Sequence, residues 1–210
     1  MERAASVRTR ASARSAQIWT GLAGAYLVSV AVLEATRDTA GFPDPADLAA
    51  SPAAIASGKL WLLFTSALPV SGAPVLGLGG TTVSVIEVVG LTVSVALLVA
   101  RTGAATFWLA AVAGHVGGTL LTYAGVGALW VVDHDSVHSV VHTLDYGVSA
   151  VWLAVLGALA VSYYGDRRYI VPFAICAAAG LIGATLFSVF VDAEHGFAFV
   201  LGALVVVLSG

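Results

Sequence analysis

Charge is what this sequence has least of. Asp, Glu, Lys and Arg make up 10% of its 210 residues, against roughly 25% in an ordinary soluble domain. Hydrophobic residues make up 59%, and the mean hydropathy is +0.96. That balance excludes a soluble globular domain and points to an integral membrane protein. Lys and Arg total 9 against 12 acids, for a net charge of −3. A nucleic-acid partner needs a basic surface that so few cations cannot build. The single cysteine, Cys176, lies inside an apolar run. No intrachain disulfide can form, and the redox compartment is not legible from it. There is no internal repeat and no His-Glu-x-x-His zinc signature.

What is present is a series of apolar runs. Residues 1–16 carry Arg3, Arg8, Arg10 and Arg14 among Ala and Ser, and read as a flexible basic arm. The run from Ile18 to Ala35 exceeds the ~7–15-residue core of a signal peptide, so it reads as a retained helix over about Gln17 to Thr36. Residues 37–80 form a long loop, rich in Asp and Pro in its first half. Its second half, from Lys59 to Leu68, is apolar but too short to cross a core of ~30 Å. With Trp61 near its start, it suits a segment lying in the membrane interface or partly inserted. Further spans are expected at Thr81 to Ala100, Ala104 to Val126, Tyr146 to Tyr164, Tyr169 to Val189 and Ala193 to Leu208. Each approaches the ~20 residues a span needs, the last being slightly short. The expected fold is therefore all-α and polytopic, with six transmembrane helices.

The basic residues support this weave. Arg3, Arg8, Arg10, Arg14, Arg101, Arg167 and Arg168 all fall on one side, and only Arg37 and Lys59 on the other. The positive-inside rule puts both termini in the cytoplasm, with the protein in the plasma (cytoplasmic) membrane. The long first loop and the polar loop around residues 131–145 then face outside.

Two polar residues sit at matching depth near that outer face. Ser149 lies about one turn into the span that follows Asp145-Tyr146-Gly147, and His195 opens the last apolar run after Asp192 and Glu194. A serine and a histidine so placed are the parts of a nucleophile–base pair. The plainer alternative is a small packing residue and an interfacial cap. Ser149, Leu153 and Gly157 share one helix face, and His195, Ala198 and Gly202 share another. Small residues let two helix backbones approach closely and bring facing polar groups within reach.

In these features the sequence resembles the rhomboids, a family of six-helix intramembrane serine proteases, over roughly residues 17–209. The family's Gly-x-Ser-Gly motif reads here Gly147-Val148-Ser149-Ala150, with Gly157 further along. Its His-x-x-Gly-x-x-x-Gly pattern reads His195, Ala198, Gly202. Its Trp-Arg and following Thr in the first loop read Trp61, Leu62 and Thr65. The resemblance implies Ser149 as nucleophile and His195 as general base, with no metal or cofactor. It implies transmembrane protein substrates cut near their outer ends, in contact with the lipid bilayer. It also implies that the two helices touch along Gly147, Ser149, Gly157, Ala198 and Gly202. Ser149 Oγ and a His195 ring nitrogen should then lie within about 4 Å, allowing for loose apo geometry.

One departure concerns the oxyanion. Rhomboids carry His-x-x-x-Asn on the second helix, and family spacing puts those positions on Val83 and Glu87. Glu87 lies roughly 10 Å below the outer end of its helix, at 1.5 Å per residue. A neutral acid there can donate a hydrogen bond to an oxyanion, whereas an anion would repel it. Gly147 and Glu87 are thus the expected oxyanion or support positions. Pairing of Glu87 with His115 or a serine on another helix is the alternative. A catalytically inactive rhomboid-like protein that binds transmembrane segments is the second functional reading.

A third reading comes from other histidines. His134, His138 and His142 recur at four-residue intervals, with Asp145 just after them. On a continuous helix they would line one face, and His138, His142 and Asp145 could ligate zinc in a membrane-embedded hydrolase. A solvated polar stripe is the plain alternative. His115, midway along its span, has no place in the family's dyad.

Overall fold

The computed structural model describes residues 2–71, 78–163 and 189–209, and its regular elements there are all helices. Helix α1 is Glu2–Ala35. The first loop holds three short helices, α2 Pro45–Leu48, α3 Pro52–Ala56 and α4 Leu62–Thr65. Then come α5 Gly80–Thr102, α6 Ala104–Val132, the single turn α7 His134–Val137, a 3-10 turn Val140–His142, α8 Val148–Ser162 and α9 Val189–Ser209. The span expected over residues 169–189 lies outside the described residues, except at its last position.

Among the described residues, three stretches are long and apolar enough to cross a membrane: Ala13–Ala35 of α1, all of α5 and all of α6. The 23 residues of α5 reach about 35 Å at 1.5 Å per residue, enough for a hydrocarbon core of ~30 Å. Helix α8 and the segment Ala193–Ser209 of α9 are apolar but shorter. One face of α5 exposes Val85, Ile86, Val89, Val93 and Leu97. In water that stripe would be a liability, and against lipid it is matched to its solvent.

Three helices run several residues further than expected. Helix α9 begins at Val189, four residues before the expected Ala193. Helix α1 continues back through the basic arm to Glu2. Its Ala and Arg residues favour helix intrinsically, so the arm is not an irregular chain. Helix α6 runs on to Val132, past the expected end at Val126; the stretch holds no proline, and the helix-favouring Ala128 and Leu129 follow Gly127. Between α5 and α6 the chain turns at one residue, Gly103, with φ 93°. That left-handed conformation suits glycine and lets the two helices follow each other directly.

The loop helices start where local chemistry demands. The Asp44 side chain accepts from Ala46 N–H at 2.8 Å, and Ser51 Oγ accepts from Ala54 N–H at 3.2 Å. Each is an N-cap followed by proline at the first helical position. The segment Lys59 to Leu68 folds as α4 and its flanks. Its Leu62 and Leu63 are buried while Leu60, Trp61 and Phe64 are exposed, as suits a piece lying at an apolar boundary. Across the loop, Ala50 and Asp145 form an antiparallel bridge of 3.1 and 2.8 Å hydrogen bonds. That bridge fixes the lead-in to α8.

The seam between α8 and α9 positions the site. A Cβ added to Gly157 would run into the Phe199 carbonyl, and one added to Gly202 into that of Ala154. Ala150, Ala154 and Ala198 bury together between them. Helix α6 closes the third side, its Gly114 and Gly118 lying against the Ala198 backbone. Helix α5 packs on α8 through Trp152, which covers Gly90 and donates from Nε1 to Ser94 Oγ at 3.1 Å.

Candidate functional site

The close seam leaves Ser149 and His195 facing each other. His195 Nε2 lies 2.8 Å from Ser149 Oγ, inside the about 2.6–3.2 Å that a nucleophile–base hydrogen bond needs. With the proton on Nδ1, the serine hydroxyl donates to Nε2. Both side chains are half-buried. They line a cavity of about 240 Å³, together with Glu87, Asp145, Tyr146 and Ser71. Larger clefts among the described residues include one of about 540 Å³ between α1 and α5 and one of about 370 Å³ beside Tyr26 and Trp108. Neither is lined by a nucleophile with a base in hydrogen-bond reach.

Glu87 therefore lies in the Ser149 cavity and not against His115. Its Oε2 is buried and has no hydrogen-bond partner among the described residues. Beside it on α5, Ser84 approaches Arg37 Nη1 at 3.4 Å, and Arg37 also pairs with Glu34 at 3.0 Å. Arg37 Nη2 donates to the Ser71 carbonyl at 3.4 Å, which ties the C-terminal end of α1 to the cavity rim.

Gly147 acts differently from its neighbour. Its N–H donates to the Ser66 carbonyl at 2.7 Å, so that donor is already engaged. A Cβ there would strike the His115 ring. Its contribution is thus close packing against α6 at the N-cap of α8. The first N–H groups inside the helix, at Val148 and Ser149, occupy positions that have no intrahelical acceptor. They are the available backbone donors near the serine.

Beneath this cavity lies a second polar cluster that the sequence did not assemble. Ser66 Oγ lies 3.1 Å from His115 Nε2, and His115 Nδ1 lies 3.8 Å from Glu194 Oε1. Thr119 Oγ1 donates to Glu194 Oε1 at 2.6 Å. Tyr123 Oη donates to Asp145 Oδ2 at 3.2 Å, and the buried Asp145 and Glu194 carboxyls influence each other electrostatically. The Ser66–His115–Glu194 order mimics a hydrolase triad, but all three are buried and Ser66 has 0% exposure. No substrate can reach that serine. Burial pushes the Asp145 carboxyl above the ordinary aspartate range, partly offset by its interactions with Glu194 and Tyr123.

The proposed metal ligands do not gather. The helix at His134 ends at Val137 and a separate 3-10 turn follows, so the three histidines share no continuous face. His134 and His138 pack near each other and on Trp130. His138 and His142 are exposed while Asp145 is drawn inward. Among the described residues no three His, Cys, Asp or Glu side chains come together as a metal site requires. In the first loop, Trp61 is 59% exposed and Thr65 Oγ1 donates to the Leu48 carbonyl at 3.1 Å. Both lie outside the serine cavity. No family profile, curated protein or solved structure matches this chain.

Proposed function

We propose that this protein is a rhomboid-like intramembrane serine protease, with six spans and both termini in the cytoplasm of a plasma-membrane protein. The observation that carries the reading is the 2.8 Å contact between His195 Nε2 and Ser149 Oγ beside a cavity. In this mechanism His195 takes the Ser149 proton as Oγ attacks the scissile carbonyl. The resulting imidazolium then protonates the departing amine. Water entering through the cavity hydrolyses the acyl-enzyme by the same steps in reverse. The negative oxygen of the tetrahedral state is met by N–H groups at the start of α8, where the helix dipole also favours it. Glu87, as a neutral acid, supplies a further donor. Substrates are transmembrane segments entering from the bilayer and cut near their outer ends.

One observation favours a second reading. A carboxyl group, Glu87, stands in the cavity where the resemblance calls for an amide. If it holds a negative charge, it opposes the oxyanion, and the protein binds transmembrane clients without cutting them. Reconstitution into liposomes with a model transmembrane substrate tests the choice. Cleavage that vanishes in Ser149→Ala supports the protease. Stable capture of the segment without cleavage supports the binding protein.

A further inference from the structure

We propose that Glu194 is the positioning residue of the Ser149–His195 pair. The inference rests on the serine-protease reading for its chemistry and on the buried cluster for its geometry. Glu194 is 1% exposed and does not line the cavity. A buried carboxyl is costly unless its hydrogen bonds are made, and the glycine–alanine seam would pack α9 without it. Its contacts indicate what it does.

Glu194 precedes His195 on α9, and successive residues on a helix point about 100° apart. Thr119, bonded to Glu194 Oε1 at 2.6 Å, and His115, 3.8 Å from the same oxygen, both sit on α6. Holding Glu194 toward α6 fixes the rotation of α9 and thereby aims His195 at α8. The second attachment acts on the nucleophile. Tyr123, also on α6, donates to Asp145 Oδ2 at 3.2 Å, and Asp145 lies shortly before Ser149 in a lead-in bridged to Ala50. Helix α6 is thus the common reference, holding the base through Glu194 and the start of the serine helix through Asp145. Thr119 donates to Glu194 Oε1, so the position needs an acceptor oxygen there. Glutamine, which can donate and accept, should replace Glu194 well, and alanine should not.

The test uses the full chain in detergent. Fluorophosphonate labelling of Ser149 is measured per folded protein in wild type, Glu194→Gln, Glu194→Ala and Thr119→Val. In parallel, histidine-labelled protein gives the His195 ring resonances, identified by their loss in His195→Asn. Their shift on Ser149→Ala reports the dyad contact without requiring activity. The expected labelling rate falls about 10²-fold in Glu194→Ala, the scale of a misplaced catalytic group, and returns to within a few-fold in Glu194→Gln. The Ser149-dependent His195 shift is expected to vanish in Glu194→Ala and persist in Glu194→Gln. If Glu194→Ala does not fold, Thr119→Val, which removes one hydrogen bond to Glu194, carries both measurements with losses in the same direction. An unlabelled wild type sinks the protease reading alone, since the resonance shift still decides the positioning role. A Ser149-dependent shift that survives in the folded Ala or Val variant overturns the proposal.

Discussion

Ser149 Oγ and His195 Nε2 meet at 2.8 Å although 46 positions separate them in the chain. The meeting is produced by what the helices lack. Gly157 and Gly202 leave no Cβ between α8 and α9, so the backbones close and the two polar side chains above the seam come into contact.

Enlarging a seam residue should therefore separate the pair. Gly202→Val puts atoms where the Ala154 carbonyl stands. Overpacking of this kind costs about 1–3 kcal/mol. Thermal unfolding in detergent should show a lower Tm, with slower probe labelling of the fraction still folded. An unchanged Tm would mean the seam is looser than described.

Glu87 discriminates protease from binding protein. As a neutral donor in the cavity, it is replaceable by Gln but not by Ala. Glu87→Gln should keep or improve cleavage of a model substrate, and Glu87→Ala should lose ~10²-fold or more, the scale of one oxyanion donor. A loss in Glu87→Gln would assign the group as an anion serving His195. Equal rates in all three proteins would remove it from the site.

Asp145 gives stability a pH dependence of definite sign. Burial raises its carboxyl above the ordinary value, so the folded state binds the proton more tightly than the unfolded state. Its contribution is full below the unfolded value of about 3.9 and is lost as pH rises toward the folded value. Tm should decline with rising pH from that lower bound. Asp145→Asn, which keeps a donor and an acceptor without titrating, should flatten this part of the profile. A profile of the same slope in Asp145→Asn would assign the effect elsewhere.

Orientation is tested by accessibility. Ser139 is exposed in the loop between α7 and the 3-10 turn. In a Cys176→Ser background, Ser139→Cys should react with an impermeant maleimide on intact cells. Reaction only after permeabilisation would invert the proposed topology.

The parts legible in the sequence were those written in local pattern. Apolar length predicted α5 and the start of α6, and the spacing of His195, Ala198 and Gly202 marked one side of the seam. Glu194 read only as an acid beside His195, and His115 had no role. Their partners, Thr119 and Ser66, lie 75 and 49 positions away, and no periodicity encodes such pairings. Asp145 read as a possible zinc ligand because its neighbours are histidines. Its bridge to Ala50 and bond to Tyr123 turn it inward. The arm at residues 2–16 was read from its charge, while its alanine content decided its helical form.

The central claim is that Ser149 is a nucleophile activated by His195, and one labelling experiment bears on it most directly. Purified protein is treated with a fluorophosphonate probe, and the modified residue is mapped by mass spectrometry. The account predicts modification at Ser149, none in Ser149→Ala, and a rate lowered by orders of magnitude in His195→Ala. Absence of modification in folded wild type, or equal modification in His195→Ala, would contradict it.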